Sequence, residues 1–278
     1  MRFAKFWAKG SYNGVSCWGW SDRSPTEAEH AAIRIAEALA ARIGRNEPRT
    51  KSYDYGERPL REEIIESIDE SAIVSRNSYG CLVINTSTVV FVDVDEEPRV
   101  SKGVSKGLLS GIVSLFSKKN EAATTEAELE FLAKVNSFIA QHPRWGIRAY
   151  KTAAGFRLLI SHREFSPDDA EVRALFEFFK CDPCYRKLCA QQQSFRARLT
   201  PKPWRCGLER PAVRWPFTMA SESEKFSVWL KQYEEQTRSY ATCRLLGQFG
   251  STQMPRSVLN VCGRHDRATQ AESGMPLA

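Results

Sequence analysis

No window of this 278-residue chain approaches the ~18 consecutive apolar residues that a membrane-spanning helix needs, so a membrane partner is not expected. The first residues, MRFAKFWAKGSYNG, lack the unbroken apolar stretch of a secretory signal, and the expected location is cytoplasmic. Internal repeats and low-complexity tracts are missing too, which excludes solenoid and fibrous architectures. Histidine is scarce: His30, His142, His162 and His265 are the four, scattered along the chain. Of these His162, at the end of a strand-like run, is the one placed to approach a site, though a surface position is the expectation. Acidic residues are scarce in one place. From Arg186 to Arg214 only Glu209 stands against eight Lys/Arg.

Cysteine is not scarce, with eight in the chain. Without a secretory signal these read as reduced thiols or metal ligands, not disulfides. Cys181, Cys184, Cys189 and Cys206 form C-x2-C-x4-C-x16-C, and the first pair has zinc-ligand spacing. The second pair that structural zinc sites carry has no counterpart here, so free buried thiols are expected over structural Zn. Hydrophobic residues at 42% and charged residues at 26% are ordinary for a globular chain, and the net charge of +7 permits a polyanionic partner.

Short strands around a turn are expected in AKFWAKG and VSCWGW. A helix follows, with Ser24 as N-cap, Pro25 at the first position, Glu27 at capping-box spacing and Gly44 at the end. The spacing of apolar residues predicts a second short helix over about 60–68. SAIVSR, GCLVINTS and TVVFVDVDEE read as three strands of an antiparallel meander. Residues 98–122 form an insertion, expected as a mobile loop. A helix over about 125–141 precedes two strands, 146–152 and 156–161, joined by a tight Ala-Ala-Gly turn. A helix over 168–180, a polar helix over 221–235, a strand TCRLLGQF and a weakly patterned tail complete the chain. This interleaving indicates an α+β protein, divided as an N-terminal α/β unit (1–69), a central unit (70–218) and a C-terminal segment packing on the core (219–278).

Three segments carry chemistry. In VVFVDVDEE strand alternation puts Asp93 and Asp95 on one face. Like charges so close are kept if solvated, capped or bridged by a cation, and all-oxygen ligands suit Mg²⁺ or Mn²⁺. On that reading Asp93→Asn removes repulsion and leaves the melting temperature unchanged or raised. In RAYKTAAGFRLL the turn after Thr152, ending at Gly155, offers backbone N–H groups to a phosphate. Alternation places Thr152 and Arg157 on one face and Lys151 on the other. In FRARLTPKPWRCGLERPAVRW, Arg196 and Arg198 share a strand face, and Trp204 and Trp215 lie among Lys202, Arg205, Arg210 and Arg214. Cations interleaved with aromatic platforms suit a nucleic-acid backbone or a triphosphate.

These segments, in this order, resemble the archaeo-eukaryotic primase superfamily, which includes the primase-polymerases: a D-x-D/E strand end, an S/T-x-x-G-x-H-like strand-turn-strand, and an acid followed by an F-R-x-x-x-S/T-x-K-like segment. Here VDVD, TAAGFR and DPCYRKLCAQQQSFRARLTPK correspond, over roughly residues 70–205, with Arg157 where the family has histidine. WGWSD, RPLREE and FRARLTPKPWR also resemble segments shared by a group of bacterial proteins. The resemblance implies an RRM-like, mostly antiparallel sheet joined to a second α/β unit. It implies two Mg²⁺ or Mn²⁺ ions on Asp93, Asp95 and Asp182, and nucleotide phosphates on Lys151, Thr152, Gly155, Arg157, Arg196, Arg198 and Lys202. The activity it implies is nucleotidyl transfer on nucleotide triphosphates and nucleic acid. A non-catalytic nucleic-acid-binding protein on the same scaffold, and a metal-dependent enzyme acting on a small phosphorylated nucleotide, stand as alternatives.

Overall fold

Strands β1 (Phe6–Tyr12) and β2 (Val15–Ser21) close a hairpin at Asn13–Gly14, where both φ angles are positive, 46° and 77°. That is the conformation a two-residue type I′ turn demands, and Asn-Gly adopts it at low cost. The computed structural model describes residues 1–47, 58–96 and 125–278. The insertion expected over 98–122 lies outside the described residues. Helix α1 (Pro25–Gly44) begins as expected, the Ser24 hydroxyl accepting the Glu27 N–H at 3.1 Å. It packs on the hairpin through the fully buried Ala28, Ala32 and Ala36. A Cβ at Gly19 would sit 2.2 Å from the Ala32 nitrogen and 2.3 Å from the Ala28 carbonyl oxygen, so only glycine permits this approach.

Beyond the hairpin come β3 (Glu63–Ser67), β4 (Ala72–Arg76), β5 (Leu82–Thr86) and β6 (Phe91–Asp95). Helix α2 (Glu126–Gln141) leads to β7 (Gly146–Thr152) and β8 (Gly155–Ile160). Then follow α3 (Ala170–Phe178), α4 (Pro183–Gln192), β9 (Phe195–Arg198), α5 (Ala220–Thr237), β10 (Cys243–Gly250) and α6 (Arg256–Thr269). One four-stranded sheet has the order β3-β4-β5-β9 and the other β10-β7-β8-β6, all neighbours antiparallel. The molecule is therefore a mixed α+β protein, with six helices among the described residues.

Three expectations are corrected. Residues 60–68 do not form a helix: β3 occupies Glu63–Ser67 and pairs with β4, with a bulge between Ile64 and Glu66. Its apolar spacing mimics a helical stripe, but Ile64 and Ile65 stay exposed and the ladder to β4 decides the conformation. The three-strand meander is only a β4–β5 hairpin. β6 leaves for the other sheet and pairs with β8, Asp93 opposite Arg157. The weakly patterned tail contains α6, whose buried face is Val258, Val261, Cys262, His265 and Thr269. Its stripe is short and built of valine, cysteine, histidine and threonine, which are weak helix formers.

The second sheet is covered on both faces. On one, Phe131 of α2 stacks on Phe156 at 4.1 Å, while Phe138 meets Trp145 and Phe178 at 5.2 and 5.1 Å. Against the other lies α6, its His265 ring 4.9 Å from Tyr150 and 5.3 Å from Phe91. The two sheets meet edge to edge at β6 and β9. There the Tyr185 hydroxyl lies 3.2 Å from the Phe91 carbonyl oxygen and 3.0 Å from that of Arg196.

Candidate functional site

β6 is an apolar edge strand whose alternation turns Val92 inward and Asp93 and Asp95 toward the face shared with Arg157. Asp93 does not stand free. Arg157 donates to both of its oxygens, Nε to Oδ1 at 2.7 Å and Nη2 to Oδ2 at 3.3 Å. The guanidinium is 2% exposed and Asp93 38%. Nη1 of Arg157 also donates to the Arg198 carbonyl at 2.9 Å and lies 3.4 Å from His265 Nε2. Burial opposes the Arg157 charge, but Asp93 outweighs it and holds the group above its ordinary pKa. A buried guanidinium satisfied by a carboxylate, a carbonyl and an imidazole is a junction between β6, β8, β9 and α6.

Behind Arg157 lies a network absent from the sequence reading. A guanidinium only donates, so His265 Nε2 accepts from Arg157 and Nδ1 carries the proton toward Asp266 Oδ1, 2.9 Å away. Asp266 also accepts from Tyr150 at 2.7 Å and from Arg148 at 2.6 Å. Burial pushes its carboxyl up, yet the bonds from His265 and Tyr150 and the Arg148 charge more than offset this and hold it below the usual carboxylate range. Arg148 and Tyr150 alternate on β7 with Thr152, which was the one available signal. His162 instead stacks near Trp145 at 4.9 Å, away from this junction.

On the far side of Arg157 the charges are unbalanced. Arg198 is held below its ordinary pKa by burial and by the Arg157 charge, with Arg205 adding to the effect. Its Nη1 is buried without a hydrogen-bond partner. Lys202 is lowered by burial and by Arg198 and Arg205, while Asp95 acts in the opposite sense. Next to these cations the chain makes a 3₁₀ turn, Pro203–Arg205, which presents Trp204 at 43% exposure. Tyr79 props the indole edge-on at 5.3 Å. Lys202 Nζ lies 5.5 Å from the Trp204 ring centre, and the Arg210 guanidinium 4.9 Å from both the Trp204 and Tyr79 rings. Tyr79, in the β4–β5 turn, is a residue that the sequence reading missed.

The remaining candidates are placed elsewhere. Lys151 pairs with Glu96 at 2.6 Å and covers Phe156, on the face away from Asp93. Thr152 uses its hydroxyl on the Ala154 N–H at 3.4 Å, which claims one of the turn's N–H groups. Gly155 is needed sterically, since a Cβ there would meet the Val94 carbonyl oxygen at 2.1 Å. Arg196 Nη2 donates to both Glu62 oxygens at 2.6 and 2.7 Å, and Glu62 in turn accepts from Ser75. Arg214 lines a separate cleft with Arg58, Arg61 and Arg196.

Asp182 caps α4, accepting the Cys184 N–H at 2.9 Å. Both Asp93 oxygens are engaged by Arg157, and among the described residues no three His, Cys, Asp or Glu side chains converge as a metal centre needs. This donor set does not fit the two-metal arrangement that the resemblance implies. The four cysteines of the zinc-like pattern do not converge either: Cys181, Cys189 and Cys206 are buried, and Cys184 is exposed at the start of α4.

No helix among the described residues is long and apolar enough to cross a membrane. No family model, curated protein or solved structure matches the chain.

Proposed function

We propose that this protein binds nucleic acid as an unpaired strand, with phosphates on Arg198, Lys202 and Arg205 and a base on Trp204. The observation that carries the reading is Arg198: a buried donor without a partner, set among cations that lower one another's pKa. An anion there supplies the missing acceptor and relieves the repulsion, and a phosphate oxygen has the right chemistry. Trp204 beside it offers a π-face that accepts any base, with Arg210 and Lys202 close to the ring. Phosphate contacts carry no sequence information, so binding is expected to be tolerant of sequence.

The test is a salt titration of binding to labelled single-stranded oligonucleotides. Affinity should fall steeply, the log–log slope being about −0.7 for each phosphate neutralised. Arg205→Ala should flatten the slope by about one such increment, and Trp204→Ala should weaken binding with little change of slope. No binding at low ionic strength would reject the polymer as ligand.

A second reading, nucleotidyl transfer of the primase-polymerase type, rests on Asp95 alone, whose charge acts on Lys202 while Asp93 is engaged by Arg157. Labelled dNTPs or NTPs with Mn²⁺ on a primed template separate the two. Incorporation that Asp95→Asn abolishes supports the enzyme; strand binding without incorporation supports the binding protein. Nucleotide bound in Mn²⁺ with no strand binding points to a small-nucleotide enzyme.

A further inference from the structure

A second basic cleft lies apart from the Trp204 surface. It is walled by the segment that follows the N-terminal hairpin and helix, by α4, by β9 and by the chain around Arg214. Four guanidinium groups, Arg58, Arg61, Arg196 and Arg214, line it together with one carboxylate, Glu62. Their supports differ. Arg196 is committed to Glu62, both side chains being 11% exposed. Arg58 lies 5.8 and 5.9 Å from the Trp7 and Trp20 ring centres and Arg61 5.1 Å from that of Trp18. Indole faces orient a guanidinium. Arg214 is exposed and makes no ion pair or hydrogen bond among the described residues. Pro59, Leu60 and Leu188 give the cleft one apolar wall, with Ser78 and Gln192 as polar neighbours, and the cavity measures about 340 Å³, within the range of small-molecule sites.

We infer that this cleft binds a small phosphorylated ligand of mononucleotide size, its phosphoryl dianion held by Arg61 and Arg214 and its less polar body against Leu60 and Leu188. Two guanidinium groups reaching from different segments grip a tetrahedral dianion as one cannot. The apolar wall separates this ligand from a bare anion or a polymer backbone, which would pass along an open basic surface. The inference is independent of the strand-binding reading, because it uses none of Arg198, Lys202, Trp204 and Arg205.

Isothermal titration of the full chain with adenosine monophosphate, ribose 5-phosphate and inorganic phosphate tests it. Binding is expected to be tightest for the nucleotide and weakest for inorganic phosphate. Arg214→Ala, and Ser78→Glu at the exposed rim of the same cleft, should each weaken nucleotide binding by about tenfold, the scale of one lost charge-assisted hydrogen bond. Arg214→Ala should leave the salt slope for oligonucleotides unchanged. Both rim variants are exposed and should melt with the parent chain. Absence of nucleotide binding, or binding indifferent to both rim variants, overturns the inference. Equal affinity for inorganic phosphate and nucleotide overturns the role of the apolar wall.

Discussion

Asp93 has a different meaning in the fold than on the strand. As one of two neighbouring carboxylates it reads as a source of repulsion; in the structure it is the counter-charge of a guanidinium that is 2% exposed. Removing its charge leaves Arg157 buried with only a carbonyl and an imidazole. Asp93→Asn is therefore expected to lower stability by about 2 kcal/mol, the low end for breaking a buried pair because Asp93 is part-exposed. Thermal or urea unfolding checks this, and an unchanged or raised melting temperature would restore the repulsion account. Asp266 makes a pH prediction. Its folded pKa is depressed, so its stabilisation is complete above the ordinary carboxylate value of about 3.9 and is lost as pH falls through the lower folded value. Asp266→Asn should lower stability at neutral pH and shrink the loss on acidification, read from urea midpoints across the acid range.

The informative elements are β6, β8 and α6. The β7–β8 hairpin was legible because alternation, a small-residue turn and flanking strands are all local. Its pairing to β6 depends on Gly155, where a Cβ would sit 2.1 Å from the Val94 carbonyl oxygen and 2.9 Å from the Glu96 nitrogen. Both neighbours are backbone, so Gly155→Ala must part the strand ends that carry Asp95. A loss of about 2 kcal/mol or more, beyond the strand-propensity gain of alanine, is expected from such a clash. It should be accompanied by faster amide exchange at Val94 and Glu96, and protected amides there would contradict the steric account. α6 escaped sequence reading for the opposite reason. Its inward residues are valine, cysteine, histidine and threonine, weak helix formers whose burial the fold alone supplies, and His265 among them meets Arg157 of β8.

At the scale of the molecule, two four-stranded sheets are joined through polar groups, Tyr185 and Arg157, at the β6 and β9 edges. Edge strands that would otherwise expose backbone groups are thereby covered. The cysteines report on how closed the rest is. Burial pushes the thiol of Cys206 up to about 11 and those of Cys189 and Cys262 to about 12, and raises Cys81 and Cys181 as well. Cys184 is exposed and Cys17 half-buried. A maleimide added to the native chain at neutral pH should label Cys184 first and Cys17 more slowly, leaving the buried thiols until denaturant is present, because attack requires an accessible thiolate. Rapid labelling at Cys189 or Cys206 without denaturant, read by peptide mass, would refute that closure.

By itself the sequence determined what local physics controls. The capped start of α1, the turn between β1 and β2, the alternation that puts Asp93 with Asp95 and Arg196 with Arg198, and the basic excess around Trp204 all follow from neighbours along the chain. Tertiary structure alone decided the partners. That Asp93 faces Arg157, that His265 and Asp266 stand behind that guanidinium, and that Arg58 and Arg61 share a cleft with Arg196 and Arg214 are long-range matters. Each joins residues far apart in sequence, and a pattern of residue types along a chain does not encode which distant group neutralises a given charge. The fold supplies that choice, because a buried charge or an open strand edge must find a partner wherever packing brings one.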